Sequence, residues 1–155
     1  MNGLGGGFAQ GESDLSMAIT AAEQYLIELI NRSRLDPQAE AARYGLSLNA
    51  GLQGTVITGA ALEPLSPNVL LEKSAQGHSE WMLAADTFDH TGVNGSSPGA
   101  RISDAGYSFH GVWAWRENLA WTGTTTSLNT VAAIEEHHEG LYRSAGHRAN
   151  TFADN

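Results

Sequence analysis

Tyr107-Ser108-Phe109-His110-Gly111-Val112-Trp113-Ala114-Trp115-Arg116-Glu117-Asn118-Leu119-Ala120-Trp121 is the stretch on which the fold turns. Its positions of one parity are Tyr107, Phe109, Gly111, Trp113, Trp115, Glu117, Leu119 and Trp121, the pattern of one face of a half-buried strand. In that phase Glu117 points the way the tryptophans point. A buried carboxylate is costly unless something pairs with it, so the chain must supply histidines, a metal or an arginine. Two histidines stand in suitable settings: His90 in Phe88-Asp89-His90-Thr91, and His147 in Ser144-Ala145-Gly146-His147-Arg148-Ala149-Asn150.

Outward from that stretch the chain reads as helices. Thr20-Ala21-Ala22-Glu23 has capping-box spacing, and Tyr25, Leu26, Leu29, Ile30 and Ser33 follow at helical intervals, which predicts a helix over 21–34. Asp36-Pro37 supplies a cap and a first-turn proline for a short second helix closed by Gly45. Residues 46–65 carry turn formers and no sustained period, so a long loop with at most a short strand is expected. Ser66-Pro67 predicts the start of a third helix over 67–86, with Leu71, Ala75, His78, Met82 and Ala85 as its stripe. Asn94-Gly95-Ser96-Ser97-Pro98-Gly99 is turn chemistry leading into a short helical turn at Arg101-Ile102. The polar 122–127 loop precedes a last helix over 130–143, with Val131, Ile134, His138, Leu141 and Tyr142 on its apolar face. Gly146 is expected to turn the chain sharply behind it.

Composition narrows the class. A chain of 155 residues that is 41% hydrophobic makes one domain with a core of its own. A net charge of −9, with Lys73 and seven arginines as the only fixed cations, argues against nucleic acid or an anionic membrane surface as partner. There is no cysteine, and therefore no disulfide framework. The first 19 residues read as a flexible glycine-rich lead-in without the basic and apolar regions of a signal peptide, ahead of a domain over 20–155. No apolar run approaches the ~20 residues of a transmembrane helix. Phosphate-loop and nucleophile-elbow motifs are also missing from the sequence.

Phe88-x-His90, Arg101 with Gly106-Tyr107, Glu117-Asn118-Leu119-Ala120-Trp121 and Ser144-x-Gly146-His147-Arg148-x-Asn150 stand in the order and approximate spacing of the CAP superfamily. That superfamily joins cysteine-rich secretory proteins, antigen 5 and plant pathogenesis-related 1 proteins. The chain resembles its bacterial, SCP-like extracellular branch from about Glu23 to Asn155. The resemblance implies an α+β fold, a three-layer α-β-α sandwich with a small antiparallel sheet. It also implies that strands which follow the Gly-His-Arg-x-Asn segment in relatives lie beyond Asn155, unless shorter strands from 51–61 complete the sheet. A sheet left open in this way would have an edge through which the chain could self-associate.

The same resemblance implies a cleft lined by His90, Glu117 and His147, in which His90 and His147 can hold a divalent ion such as zinc. Two imidazoles and a carboxylate with an open fourth position suit Zn²⁺. Where relatives carry a second acidic residue in the last helix, this chain has Ser144, leaving Glu135, His138 or Glu139 as substitutes. His78 and His138 lie on apolar faces, where a core histidine bonded to a backbone carbonyl is the plainer reading. Glu117 pairing with Arg148 or with backbone amides is the alternative to a metal. Asn118, Arg148 and Asn150 are read as structural supports. The function implied is a secreted module whose cleft binds a metal, a small ligand or an extracellular partner; a metal-dependent hydrolase and an adhesion module with a vestigial cleft are the alternatives.

Overall fold

The computed structural model describes residues 19–153 except 124 and 126. Nearly all of the glycine-rich lead-in lies outside the described residues, as do Asp154 and Asn155. The helices are α1 (Ala21–Leu35), α2 (Pro37–Arg43), α3 (Val69–Ala84), α4 (Pro98–Asp104), α5 (Thr130–Arg143) and α6 (Ala145–Thr151), with a 3₁₀ turn at Val93–Gly95.

Caps explain most of these boundaries. Thr20 Oγ1 accepts from the Glu23 N–H at 3.2 Å while the Glu23 carboxylate takes the Thr20 N–H at 2.8 Å, a reciprocal box that starts α1. Asp36 accepts from Ala39 N–H at 3.0 Å ahead of Pro37. α3 begins later than Ser66-Pro67 suggests, because the Asn68 amide oxygen captures the Leu70 and Leu71 N–H groups at 3.0 and 3.3 Å. Ser97 and Pro98 open α4, and Asn129 caps α5.

The expected α-β-α sandwich is not what forms: the described residues contain no strand and hence no sheet. The alternating aromatics of 107–121 do not run straight. Gly111 adopts φ +68, and the Phe109 and Trp113 rings stack with centroids 4.2 Å apart. Residues i and i+4 of a strand are separated by ~13 Å, so the chain must double back between those rings. A lone extended segment also has no ladder to satisfy its peptide groups. With no strand there is no sheet edge, and the ground for edge-to-edge self-association falls away among the described residues. The 51–61 stretch likewise forms no strand.

Asparagine amides perform the pairing instead. Asn49 donates to Ile57 O at 3.0 Å and accepts from Ile57 N–H at 2.8 Å. Asn31 does the same for Leu65, at 2.9 and 2.7 Å. Each side-chain amide imitates a peptide partner and holds an irregular segment against the helices. The core they close consists of Ala41, Leu48, Ile57, Tyr142 and Phe152, flanked by Tyr44, Leu46, Leu52 and Leu62.

α6 is the helix that sequence periodicity did not reveal. Gly146 lies within its first turn rather than at a sharp bend. What fixes it is Arg148, fully buried, whose guanidinium donates to Leu48 O and Tyr142 O at 2.8 Å, to Arg143 O at 3.2 Å and to Ala50 O. Tyr142 and Arg143 supply last-turn carbonyls of α5, the negative end of that helix, so the cation is compensated by dipoles rather than by a carboxylate.

Candidate ligand cleft at Glu117

The loop after α3 carries His90. Asp86 takes φ +50 and the Thr87 N–H reaches back to Met82 O at 3.0 Å, ending the helix. Asp89 Oδ1 accepts from Thr91 N–H at 2.6 Å, and hydrogen bonds from Thr91 hold this carboxyl below its ordinary range. Two side chains then grip the loop by its carbonyls. His78 Nε2 donates to Asp89 O at 3.0 Å, and Arg101 Nη1 donates to His90 O at 3.0 Å and to Ser96 O at 2.9 Å. Gly92 makes room for that guanidinium: a Cβ there would stand 2.6 Å from Ser96 Oγ and 2.9 Å from Arg101 Nη1.

Arg101 also reaches Glu117. Its Nη2 donates to Glu117 Oε2 at 2.6 Å, and the other carboxylate oxygen accepts from His90 Nδ1 at 2.8 Å. The Arg101 side chain is 9% exposed, that of Glu117 19% and that of His90 55%. A carboxylate only accepts, so His90 carries a proton on Nδ1, and in the neutral ring Nε2 is the remaining acceptor. Glu117 and Asn118 line a groove of about 670 Å³ whose walls include Ile30, Leu71, Ile102, Trp113 and Trp115. Trp115 lies against α4 because Gly99 has no side chain; a Cβ there would come within 2.5 Å of the indole nitrogen.

His147 joins this region through its backbone. Its carbonyl accepts from Asn118 Nδ2 at 3.1 Å and from Thr151 Oγ1 at 3.2 Å. Asn150 donates to Asn118 Oδ1 at 2.9 Å, which binds α6 to the 117–118 segment. The remaining candidates lie elsewhere or serve other bonds. His78 grips the Asp89 carbonyl and stacks on Trp81. Glu135 accepts from the Tyr25 hydroxyl at 2.7 Å, joining α5 to α1. Glu139 pairs with Arg143 at 2.7 Å. Ser144 occupies the cap position of α6 without a side-chain cap bond. Arg148 is not the partner of Glu117; Arg101 is.

His138 belongs to a different assembly. Its Nε2 lies 2.9 Å from Glu40 Oε1, and both side chains are almost completely buried. Arg32 grips the same carboxylate in bidentate fashion at 2.5 and 2.9 Å, and Arg43 approaches it at 3.3 Å. Burial pushes Glu40 up, but hydrogen bonds from Arg32 and His138 outweigh it and hold the carboxyl at about 2. Burial, aided by the Arg32 charge, lowers His138 against the opposing pull of Glu40. No periodic pattern marks Glu40, because its partners come from three helices; the one hint is an acidic residue in the first turn of α2.

The zinc expectation can be set against these residues. Both Glu117 oxygens are engaged, one of them by a guanidinium at 2.6 Å, which competes with a cation for the same charge. Among the described residues no group of three or more His, Cys, Asp or Glu side chains is arranged to hold a metal ion. As placed, the residues do not fit zinc.

The description of the cysteine-rich secretory protein family, CAP, matches residues 27–155. The chain belongs to that family. No curated protein and no solved structure matches it. This CAP domain builds its core without a cysteine, and no helix among the described residues is long and apolar enough to cross a membrane.

Proposed function

We propose that this CAP domain is an extracellular bacterial binding module whose cleft takes a small ligand at Glu117 and His90, with an apolar part of that ligand in the adjoining groove. The observation that carries this reading is the clamp on Glu117. Arg101 and His90 hold both oxygens of a carboxylate whose residue lines an aromatic-walled groove of about 670 Å³. Such a volume lies within the usual ~300–1,000 Å³ of small-molecule sites, which combine apolar walls with a few fixed polar groups. The His90 Nε2 lone pair asks for a hydrogen-bond donor on the ligand. The family description supports export, and the acidic net charge of −9 supports a partner other than nucleic acid.

One observation favours hydrolysis as a second reading. A carboxylate that fixes an imidazole by Nδ1 is how a general base is oriented. The test separates the two. Ligand-observed NMR with a library of small amphipathic compounds should give binders that shift the Trp113 and Trp115 indole signals and lose affinity in His90→Ala, with no compound converted. Stoichiometric Zn²⁺ uptake abolished by both His90→Ala and His147→Ala would replace the ligand cleft by a metal site, and turnover lost with His90 would replace it by an enzyme.

A further inference from the structure

Seven asparagines lie among the described residues, and six of them keep their side-chain amides in hydrogen bonds: Asn31, Asn49, Asn68, Asn118, Asn129 and Asn150. Asn94 is the exception. It is exposed, its amide makes no hydrogen bond among the described residues, and it alone of the seven is followed by glycine. We propose that Asn94-Gly95 is a site of spontaneous deamidation, that Arg101 restrains the reaction, and that the isoaspartate it forms loosens the His90 loop. The modification stands on this turn alone; its effect on ligand binding rests on the reading of the His90–Glu117 cleft given above.

The reaction needs only water. The Gly95 backbone nitrogen, losing its proton to solvent, attacks Asn94 Cγ; the Cγ–Nδ2 bond breaks and ammonia leaves, closing a cyclic succinimide. Water then opens the ring. Cleavage of the bond from Cγ to nitrogen yields aspartate. Cleavage of the main-chain bond from the Asn94 carbonyl carbon to nitrogen yields isoaspartate, in which the chain runs through Cβ and Cγ. Glycine obstructs the attack least, because no Cβ stands beside the nitrogen.

The folded loop holds the reacting atoms apart. Val93 to Ser96 form a tight turn with φ +54 at Asn94 and +78 at Gly95, and Ser96 N–H donates to Val93 O at 3.1 Å, an arrangement that favours Asn-Gly. Gly95 N–H is itself donated to Gly92 O at 3.0 Å, and at ψ 26 the Gly95 nitrogen lies away from the Asn94 side chain. Ring closure therefore waits for the turn to open. Gly92 N–H donates to Ser96 O at 2.8 Å, and Arg101 Nη1 grips the same carbonyl at 2.9 Å together with His90 O at 3.0 Å, so opening works against the guanidinium. The product shifts that balance. Isoaspartate adds a backbone atom between Val93 O and Ser96 N–H, and a turn built on two positive φ angles no longer closes. Ser96 O then leaves Arg101, and the segment that carries His90 is held by one carbonyl fewer.

Incubating the full chain in H₂¹⁸O at mildly alkaline pH, with peptide mapping by mass spectrometry, marks each conversion with heavy oxygen and reads Asn2-Gly3 separately. Expected are label at Asn94, none at the six bonded asparagines over the same period, isoaspartate in the product, and a rate at least about tenfold below that of the same chain unfolded in urea. Gly92→Ala, which crowds Ser96 and Arg101, should raise the folded rate. Absence of label at Asn94 after the unfolded chain has converted there, or label at the bonded asparagines at the same rate, overturns the site. Equal rates in the folded and unfolded chains, or in Gly92→Ala and the wild type, overturn the restraint. Hydrogen exchange on the aged, ligand-free chain reads the last step: it should quicken over 89–96 relative to Asn94→Gln, whose longer side chain closes its ring far more slowly. Unchanged exchange overturns the loosening and, being measured without ligand, leaves the cleft reading to its own test.

Discussion

Glu40 and Glu117 have the same kinds of partner, an arginine and a histidine, and the two sites differ in what surrounds them. Glu40 is clamped by Arg32, Arg43 and His138 where its side chain is 2% exposed, and both of its oxygens are engaged. Glu117 is clamped by Arg101 and His90 where it lines a groove, and the His90 side chain is half exposed. The same chemistry serves as a structural lock when closed and as a presented base when open. Burial, rather than residue type, is what distinguishes the two clamps.

The largest expected effect tests the closed member. Glu40→Gln removes the charge that compensates Arg32 and weakens the acceptor of the buried His138 ring, and should cost about 3–5 kcal/mol in urea unfolding, the usual cost of breaking a buried pair. Glu117→Gln should cost about 1 kcal/mol in the same assay, since solvent reaches that site. Equal losses would mean that the two clamps are alike and the contrast is mistaken.

Acid sharpens the same contrast. Glu40 is depressed to about 2, so its stabilisation is complete above the ordinary carboxylate value of ~4.5 and disappears as pH falls through the folded value. The loss amounts to at most ~3 kcal/mol across that window. His138 is also depressed, so the unfolded chain takes up its proton first, and stability begins to fall as pH drops below ~6.5. Both contributions have the same sign. Unfolding free energy measured from neutral pH to about pH 3 should decline in these two stages in the wild type, with the lower stage absent in Glu40→Gln.

How legible the molecule was depends on whether a feature is local. Thr20-x-x-Glu23, Asp36-Pro37 and the Val131–Tyr142 stripe are local, and α1, α2 and α5 follow them closely. The aromatic alternation of 107–121 is local too, but a strand depends on a neighbour that no periodicity can guarantee, and Gly111 bends the segment away. α6 lacks a side-chain cap bond and contains Gly146, so only the tertiary burial of Arg148 explains it. At the cleft, ordered motifs singled out Glu117 and His90, while Arg101 stood in those motifs without a role until its three acceptors were seen together. Glu40 gave no signal, because a network drawn from α1, α2 and α5 has no spacing in sequence.

A smaller effect probes how Arg101 is seated. Gly92→Ala places a methyl group against Ser96 Oγ and the Arg101 guanidinium, and overpacking of that kind costs about 1–3 kcal/mol. The displacement should loosen the grip on His90 O while leaving the Glu40 network untouched. Hydrogen exchange should therefore quicken in the 89–96 loop and remain unchanged in α2. Uniform quickening would show that the open clamp is part of the same cooperative unit as the closed one.

The smallest expected change in stability carries the sharpest chemical readout. In Glu117→Gln the single amide oxygen can satisfy only one of its neighbours, and the charged Arg101 at 2.6 Å is the stronger claimant. The amide nitrogen then faces His90 Nδ1, and because it can only donate, the ring must offer a lone pair there. The proton moves to Nε2, and the neutral His90 ring carries a donor there where it had carried an acceptor. Ring ¹⁵N shifts should thus report an Nδ1–H tautomer in the wild type and Nε2–H in Glu117→Gln, with the fold almost unchanged. Ligands that bind the wild type through a donor should lose affinity, and analogues carrying an acceptor at that atom should gain it. A ring that keeps Nδ1–H in both proteins would show that Glu117 does not set the tautomer, and the open clamp would then differ from the closed one in exposure alone.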